Sequence, residues 1–414
     1  MEVTLGYKKT EIGVIPEDWE FKPLGSLCAA IVDCHHSTPM WTDMGALVIR
    51  NQNIREGKID LSMPSFTDEV HFTERTRRAT PSFGDLVITR EAPMGLVCMI
   101  PENLRCCLGQ RMVLLRINKN AADSLYILYA LLSERVQQTI SILGGTGSTV
   151  GNLRIPCIKA LSIITPSQSE QHAISTALSD MDALLDGLDR LIAKKRAIKQ
   201  AAMQQLLTGQ TRLPGFSGTW EVIRLGDLAE IRSGGTPSTR DSAAWDGAVP
   251  WCTPTDITAL DGGKYLAVTN RTITEHGLRN SSAELIPARS IVMTSRATIG
   301  ECAINVVPMA TNQGFKNLVP FDSVDVEFFY YLLCAQTQGL VGLSAGSTFL
   351  EIGKAQIWQY EVRLPSTKIE QAAISAVLGD MDAEISALEA RRTKTRATKQ
   401  AMMQELLTGR TRLI

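Results

Sequence analysis

The sequence predicts a protein of the mixed α/β (α+β) class. Two domains are separated by two long antiparallel α-helices that form a coiled coil, and the whole is a pseudo-two-fold internal repeat. Three observations lead to this prediction. A ten-residue phrase occurs twice, as QQLLTGQTRL at 204–213 and QELLTGRTRL at 404–413. Each copy closes a long segment whose apolar residues recur at helical spacing. Short β-rich runs, separated by turn-forming residues, precede each of these segments.

The repeat extends well beyond the ten-residue phrase. Residues 170–213 align with 370–413 without gaps, so that EQHAISTALSDMDALLDGLDRL matches EQAAISAVLGDMDAEISALEAR. A second match joins IPEDWEFKPLGSL at 15–27 to FSGTWEVIRLGDL at 216–228, which places Trp19 on Trp220. Repeats of this kind indicate a duplicated architecture. We therefore expect a first mixed domain over 1–167, a helical spacer over 168–209, a second mixed domain over 210–367 and a second spacer over 368–414.

The two spacers are predicted to be helices that pair with each other. Their apolar residues alternate in steps of four and three, which is the a/d seam of a coiled coil. The seam consists of Ile174, Leu178, Met181, Leu185, Leu188 and Ile192 in the first spacer and of Ile374, Leu378, Met381, Ile385 and Leu388 in the second. The pattern is interrupted at Lys195 and Lys199 and at Arg392 and Lys399. A second apolar row in the first spacer, formed by Ala177, Leu184, Leu191 and Ile198, predicts a wider buried face there.

The two middle regions are predicted to be mixed α/β. Their β-rich runs are ALVIR (46–50), DLVIT (85–89), MVLLRI (112–117), SIVMTS (290–295) and NLVPF (317–321). One shorter helix follows in each region, over 124–140 and 326–341. A Gly/Ser/Thr loop comes next, GGTGSTVGN at 144–152 and AGSTFLEIG at 345–353. The TGRTRL segment lies where another copy of the 216–228 motif would begin, so we expect the chain ends to meet.

Composition excludes several classes of protein. The chain has 414 residues, 44% hydrophobic and 21% charged, and a net charge of −1. No apolar run reaches the roughly 18 residues that a membrane span needs, and no secretory signal opens the chain, so we expect a cytoplasmic protein. The nine cysteines form no CxxC pair, and the cluster Cys34, His35, His36 lacks a partner pair, so we predict no metal site.

The sequence contains no signature of catalysis. We find no P-loop, no dinucleotide fingerprint after a strand and no adenine methylation motif, so we predict no catalytic residue. The middle regions instead carry hydrogen-bond donors of the kinds that read base edges and neutralise phosphates. The candidates are Arg50, Asn51, Gln52, Arg75, Arg77, Arg78, Arg90, Gln110, Arg111, Ser148 and Thr149 in the first region, and Arg271, Arg279, Arg296, Asn312, Gln313, Lys316, Ser347 and Thr348 in the second.

This organisation resembles the specificity subunits of type I restriction–modification systems. The resemblance rests on the two motifs around Trp19 and Trp220, on the two closing phrases, and on VPWCTPTDI (249–257), GLRNSSAELIP (277–287), TIGECAI (298–304) and TNQGFKNLVP (311–320). It implies two target-recognition domains that read a gapped, asymmetric double-stranded DNA site, with the helices as a ruler between them.

The resemblance also implies partners and cofactors. Two methyltransferase subunits would dock on the repeats and carry S-adenosylmethionine. Restriction subunits, which use ATP and Mg²⁺, would join that complex. The chain itself would bind no cofactor and perform no chemistry. Two alternatives stay open: a specificity partner of a fused restriction–methylation enzyme, and a coiled-coil scaffold whose side domains bind protein or carbohydrate. A third, an enzyme with an unrecognised active site, would need an acid–base or metal set that the sequence does not show.

Overall fold

The computed structural model describes residues 6–10, 13–145, 151–344 and 351–413. Its contacts divide the chain into two compact units. The first unit comprises residues 1–189 and 390–414, and the second comprises residues 190–389. Each unit therefore contains one mixed domain, the first part of the helix that follows it and the second part of the other long helix. In the described residues, no helix is both long and apolar enough to cross a membrane.

The first unit is rich in short strands. Its strands are β1 (Tyr7–Thr10), β2 (Gly13–Pro16), β3 (Glu20–Pro23), β4 (Cys28–Asp33), β5 (Trp41–Thr42), β6 (Ala46–Ile49), β7 (Ile54–Arg55), β8 (Lys58–Ile59), β9 (Phe66–Thr67), β10 (Leu86–Thr89), β11 (Val97–Met99), β12 (Cys106–Leu108), β13 (Met112–Ile117) and β14 (Ser162–Thr165). Its helices are α1 (Leu24–Leu27), α2 (Glu69–Thr76), α3 (Ser124–Leu132), α4 (Glu134–Gly145) and α5 (Ile155–Ala160), with a 3₁₀ turn at Asn51–Asn53; α6 (Gln168–Leu206) begins in this unit.

Two four-stranded sheets form the body of the first unit. One has the order β11-β10-β13-β4 and is antiparallel, and the other has the order β12-β6-β9-β5 with β12 and β6 parallel. Strand β10 reads LVIT and is buried along its whole length, as expected of a β-branched run inside a sheet. Against the first sheet packs a core that includes Trp19, Leu115, Tyr126 and Leu178. The start of α6 is thus part of the domain core.

The second unit repeats this framework. Its strands are β15 (Trp220–Arg224), β16 (Ala229–Ser233), β17 (Trp245–Cys252), β18 (Tyr265–Leu266), β19 (Arg271–Ile273), β20 (Ile291–Thr294), β21 (Cys302–Asn305), β22 (Ala310–Thr311), β23 (Phe315–Pro320) and β24 (Glu361–Pro365). Its helices are α7 (Leu225–Leu228), α8 (Pro254–Thr258), α9 (Glu275–Arg279), α10 (Val326–Ala335), α11 (Thr337–Gly342) and α12 (Lys354–Gln359), with a 3₁₀ turn at Ser242–Ala244 and the start of α13 (Lys368–Leu406).

The sheets of the two units correspond strand by strand. The order β16-β23-β20-β21 matches β4-β13-β10-β11, with β18 added at the far edge, and the parallel pair β17 and β22 matches β6 and β12. Hydrogen bonds at equivalent positions agree as well. The Leu153 N–H donates to the Arg90 carbonyl (2.9 Å), and the Ile352 N–H donates to the Ser295 carbonyl (3.1 Å). The framework is therefore shared although the middle sequences differ.

The predicted strands are present, but each shorter helix is divided. In place of one helix over 124–140, α3 ends at Leu132 and α4 begins at Glu134. Ser133 between them is extended (ψ 144°), and its hydroxyl donates to the Ala130 carbonyl at 2.6 Å. In place of one helix over 326–341, α10 and α11 meet at Gln336. Side chains that bond their own backbone compete with helix continuation, which explains the break at Ser133.

The two long helices have the predicted extent and the same length. Each spans 39 residues, α6 over Gln168–Leu206 and α13 over Lys368–Leu406. Gly209 follows the first helix with a positive φ of 71°, and a Cβ atom there would lie 3.0 Å from the Trp220 ring. Glycine ends the helix because it adopts this left-handed conformation without strain. The same φ occurs at Gly409, so the repeated phrase encodes a helix end.

Most seam positions are buried. Ile174, Leu178, Leu185, Leu188, Ile192, Ile374, Leu378 and Ile385 are buried, whereas Met181, Met381 and Leu388 are half-buried. Where the apolar pattern is interrupted, the helices are joined by ion pairs. In the first unit, Lys399 pairs with Asp182 at 2.6 Å and Arg392 with Asp189 at 3.0 Å. Lys399 comes after Arg392 in the chain, but its partner Asp182 comes before Asp189. The two helix segments therefore run antiparallel within this unit.

The prediction of a wider buried face on the first spacer is wrong. Leu184, Leu191 and Ile198 are exposed by 39%, 38% and 44% of their surface. The helix turns this row outward because the seam beside it already fills the contact with the core. The row is an exposed apolar stripe within the described chain.

A second group of contacts joins the repeated phrase to the tryptophan motif. In the first unit, Arg412 donates to both oxygens of Glu170, and the Trp19 indole N–H donates to the same carboxylate at 3.0 Å. Arg412 also donates to Asp18 at 2.9 Å, and the Tyr7 hydroxyl donates to the Gly409 carbonyl at 3.0 Å. The expected meeting of the two chain ends is confirmed by these bonds.

Candidate nucleic-acid interface

The loop after β4 is the point at which several candidate donors of the first unit meet. Gln110 lies in the turn between β12 and β13, and its amide donates to the His36 carbonyl at 2.6 Å and to the Thr38 hydroxyl at 3.0 Å. Arg78 follows α2 and donates to the Asp33 carbonyl at 3.3 Å. In this loop His36, Ser37 and Thr38 are exposed and His35 is half-buried, so the loop presents polar groups to solvent. Arg77 beside it is also exposed.

Arg75 has a different environment from its neighbours in the RTRR run. It lies in α2, only 7% of its surface is exposed, and its guanidinium donates to the carbonyls of Ser37 and Leu108, the latter at 2.9 Å. Burial lowers the pKa of the Arg75 guanidinium. Of the candidate DNA-binding donors, Arg75 is therefore a buried one: it holds the loop from inside because α2 turns it inward.

A polar network lies on the same edge, centred on Glu91. Arg111 pairs with Glu91 at 3.2 Å, and the Asn51 side chain donates to the Glu91 carbonyl at 2.5 Å. Arg90 pairs with Asp33 at 3.1 Å and donates to the Leu153 carbonyl at 3.1 Å. The structure thus brings Asn51, Arg90, Gln110 and Arg111 together, because β4 and β10 end, and β13 begins, beside the turn that follows β6.

Arg50 and Gln52 occupy that turn and are exposed. The Arg50 guanidinium carbon lies 4.9 Å from the centroid of the Trp41 ring, and one of its nitrogens lies 3.4 Å from the Ser65 hydroxyl. The Gln52 amide donates to the Met63 carbonyl at 3.4 Å. The remaining candidates of this region, Ser148 and Thr149, lie outside the described residues.

The second unit places Gln313 where the first places Gln110. Gln313 follows β22, and its side-chain carbonyl accepts a hydrogen bond from Thr236 in the loop after β16. Asn312 beside it accepts a bond from the Gly314 N–H at 2.9 Å. In both units, a glutamine is therefore bonded to a loop at the equivalent place: Gln110 to the loop after β4, and Gln313 to the loop after β16. The loops HHSTP (35–39) and GGTPST (234–239) were missed in the sequence, although each places a threonine beside a proline.

Arg296 and Lys316 share one carboxylate at the end of β20 and β23. Arg296 lies 2.9 Å from Glu351, and Lys316 lies 3.7 Å from it. Only 9% of the Lys316 side chain is exposed, and burial lowers the pKa of its ammonium group. Lys316 therefore offers little surface to a DNA backbone, whereas Arg296, which is 46% exposed, offers more.

Arg271 and Arg279 have contrasting surroundings. Arg279 ends α9 and pairs with Glu275 on the same helix. Arg271 lies on β19 and stacks on the ring of Trp245, with 3.8 Å between the guanidinium carbon and the ring centroid. Ser347 and Thr348 lie outside the described residues. Among the described residues, no three His, Cys, Asp or Glu side chains are placed to hold a metal ion.

The comparisons with known proteins agree with this picture of a duplicated framework. The model of the type I restriction modification DNA specificity domain matches residues 16–195 and 217–396. The MjaIX specificity subunit of Methanocaldococcus jannaschii, a type I restriction enzyme subunit, is 38% identical over 165 residues, which is 39% of this chain and 38% of that protein. The EcoR124I/EcoR124II specificity subunit of Escherichia coli is 26% identical over 212 residues, which is 49% of this chain and 51% of that protein.

Solved structures share the fold along nearly the whole chain. The S subunit of a type I restriction–modification system from M. genitalium has a TM-score of 0.58 at 17% identity and covers 98% of each chain. The HsdS subunit from Thermoanaerobacter tengcongensis has a TM-score of 0.52 at 17% identity and covers 96% of this chain and 98% of its own. With two matched domains that span most of its length, the chain belongs to the family of type I restriction–modification DNA specificity domains.

Proposed function

We propose that this chain supplies DNA sequence recognition to a type I restriction–modification complex, and that each unit reads one half of a gapped, asymmetric site. One observation carries the proposal. The two units share a framework, but the edge that carries Gln110 in the first unit and Gln313 in the second bears different hydrogen-bond donors. Gln110 and Gln313 occupy one equivalent position. Arg90, however, stands where the second unit has Ser295. Two edges with different donors fit two different half-sites.

The donors are suited to reading bases. Arginine, asparagine and glutamine form paired hydrogen bonds with guanine and adenine edges in the major groove. Gln110 uses its amide nitrogen on the His36 carbonyl, and no bond engages its side-chain oxygen within the described residues. Gln313 uses its oxygen on Thr236. Each glutamine therefore keeps one polar atom for a base, while its loop contact fixes its position.

The long helices support docking of partner subunits. α6 and α13 share the same pattern of buried and exposed positions over their first turns, from 171 to 180 and from 371 to 380. Two copies of one partner need two similar surfaces, and the repeated helices supply them. We propose that two methyltransferase subunits, which carry S-adenosylmethionine, dock here, and that restriction subunits using ATP and Mg²⁺ join the complex in the cytoplasm. The chain itself then acts without chemistry of its own.

A map of N6-methyladenine in the host genome tests the proposal. The map is recorded with the gene present, with the gene deleted and with the deleted strain complemented. We expect one gapped, two-part motif to lose its methylation on deletion and to regain it on complementation. Identical maps with and without the gene, in a strain whose methyltransferase partner is expressed, would contradict the proposal and favour the scaffold alternative.

A further inference from the structure

We propose that Arg271 reads a guanine in the half-site recognised by the second unit, and that Trp245 and Trp251 hold it in position. The inference rests on the proposed function, and it adds a particular residue and base to that function. It starts from the stacked arrangement of these three side chains on the edge of the second unit that carries Gln313.

Backbone pairing fixes the position of Arg271. Its strand β19 is antiparallel to β17, and Arg271 is the direct partner of Trp251 in that pairing. The Arg271 guanidinium carbon lies 3.8 Å from the Trp245 ring centroid and 5.4 Å from that of Trp251. The two rings meet edge to face with 5.0 Å between centroids. The two distances from the Arg271 guanidinium to the rings fall within the range of cation–π attraction.

The two tryptophans form a rigid support. The Trp245 indole N–H donates to the Ser238 carbonyl at 3.0 Å, and the Trp251 indole N–H donates to the Gly235 carbonyl at 2.9 Å. Trp245 and Trp251 are exposed by only 8% and 4%. Since both rings are buried and both polar atoms are bonded, the surface under Arg271 is fixed. A stacked guanidinium directs its N–H groups outward in the plane of the ring.

Arg271 is exposed and has no carboxylate partner among the described residues. Four other arginines of the second unit differ in this respect. Arg232 pairs with Glu230, Arg279 with Glu275, Arg289 with Glu327 and Arg296 with Glu351. An arginine that is stacked, exposed and unpaired keeps its hydrogen-bonding edge for an external acceptor. The paired acceptors O6 and N7 of guanine match that edge.

The location agrees with a role in base reading. The tryptophans bond to the carbonyls of Gly235 and Ser238, and Gln313 accepts a bond from Thr236 in the same loop. Gln313 therefore contacts this loop directly, and Arg271 is linked to it through the two tryptophans. A guanine contact by Arg271 and an adenine contact by Gln313 are the pairings expected of these side chains.

Four versions of the gene test the inference. The deleted host strain receives wild type, Arg271→Gln, Arg271→Lys or the control Arg289→Gln, and methylated motifs are mapped. We expect the wild-type motif to contain a G·C pair in one half-site at which Arg271→Gln accepts other pairs. Arg271→Lys should relax the same position, because lysine provides neither the planar stack nor the paired donors. Arg289→Gln should keep the wild-type motif, because Arg289 is not among the candidate donors and is paired with Glu327.

Binding of DNA duplexes to the purified complex of this chain with its methyltransferase partner measures how strongly Arg271 discriminates between base pairs. At the relaxed position, the ratio of binding to the G·C duplex over the other three duplexes should fall by about 5-fold to 150-fold in Arg271→Gln, which is the discrimination that a paired base contact provides. Thermal unfolding of each variant shows whether the fold is kept. The variant Trp245→Phe keeps an aromatic ring under Arg271 and should reduce the ratio less than Arg271→Gln does.

The outcomes separate the inference from the proposed function. If the wild-type gene directs no gapped motif, the proposed function fails. If the motif appears but has no G·C pair in either half, or if Arg271→Gln leaves the motif unchanged, the inference alone is overturned. A folded Arg271→Gln variant that loses affinity uniformly at all sites, with a shallower salt dependence, would make Arg271 a phosphate contact and would likewise overturn it.

Discussion

Arg412 forms a two-pronged ion pair with Glu170, with 2.6 Å between Nε and Oε1 and 2.8 Å between the terminal nitrogen and Oε2. The pair joins the end of the chain to the first turn of α6, and only 4% of the Glu170 side chain is exposed. The second unit has the same pair between Arg212 and Glu370, at 2.7 Å for both bonds. The final phrase of each repeat thus carries the arginine that neutralises a buried carboxylate.

Replacing Arg412 by Ala should destabilise the first unit strongly. Glu170 would keep only the Trp19 indole as a partner, and a buried carboxylate without its cation costs roughly 3–5 kcal/mol. The free energy of unfolding, measured in urea, gives the effect. Arg410→Ala is the matched control, since Arg410 and Glu405 are exposed and 3.7 Å apart. Equal losses of stability in the two variants would show that the buried Glu170 pair contributes no more than an exposed ion pair.

Replacing Leu178 by Ala should also be costly, whereas Leu184→Ala should not. Leu178 is fully buried in the core of the first unit, and Leu184 lies six residues later on the exposed row of the same helix. Truncation of a buried leucine costs roughly 2–5 kcal/mol, and exposed substitutions usually change stability by less than about 0.5 kcal/mol. Chemical unfolding of both variants measures the difference. A large loss in Leu184→Ala would mean that this row is covered.

Acid should remove the contribution of the Asp18 pair. The hydrogen bond from Arg412 holds the pKa of Asp18 below its usual value of 3.8. A carboxylate whose pKa is lower in the folded state stabilises the fold above the unfolded pKa, and this contribution is lost as the pH falls through the folded pKa. Stability of wild type and Asp18→Asn should therefore differ near pH 6, and the difference should shrink as the pH falls below 3.8 and through the folded pKa.

The control for this measurement is Asp43→Asn, because Asp43 is exposed and has no ion pair among the described residues. Its stability should follow that of wild type across the same pH range. A difference between wild type and Asp18→Asn that stays constant down to the lowest pH would mean that the charge of Asp18 contributes nothing.

Substitution of the two equivalent glutamines should affect different halves of the target. Gln110→Ala removes a donor from the edge of the first unit, and Gln313→Ala removes one from the edge of the second. Each variant should relax one half of the methylated motif and leave the other half intact, as a map of N6-methyladenine would show. Relaxation of the same half by both variants would contradict the assignment of one half-site to each unit.

The large elements of the fold were predictable because they follow from strong periodicity. The seam from Ile174 to Ile192 alternates steps of four and three throughout, so the spacer predicted over 168–209 lies within three residues of the ends of α6. Strand β13 was predicted residue for residue, over Met112–Ile117, since its β-branched and aliphatic run is bounded by a turn. Because the two halves of the chain align, a helix predicted in one half was also expected at the equivalent position in the other.

Other features depend on contacts that periodicity does not encode. The break at Ser133 comes from one hydroxyl bond to the chain before it, and a serine in a helical pattern gives no sign of that choice. Leu184 and Leu188 lie four residues apart on one helix, yet only Leu188 is buried, because the width of the buried face depends on what packs against it.

The types of residue in the candidate site could be predicted from the sequence, but their burial and their contacts could not. Arg75 and Arg77 stand two residues apart in the same run, but α2 buries the first and exposes the second. Arg271 and Arg279 are both exposed arginines, and only the folded chain shows that one stacks on tryptophan and the other pairs with glutamate. Which donors face outward without a partner is decided by tertiary structure.

The ionic contacts that interrupt the seam have a further consequence. In the first unit, Asp182 accepts bonds from Tyr129 of the domain and from Lys399 of the other helix. In the second unit, Asp382 accepts the equivalent bonds from Tyr331 and Lys199. Since the two contact sites consist of the same three residue types, we expect a domain that carries this tyrosine to keep the contact in either position. Genetic exchange of whole domains between the two positions, or with related genes, would then create new target specificities without rebuilding the helices.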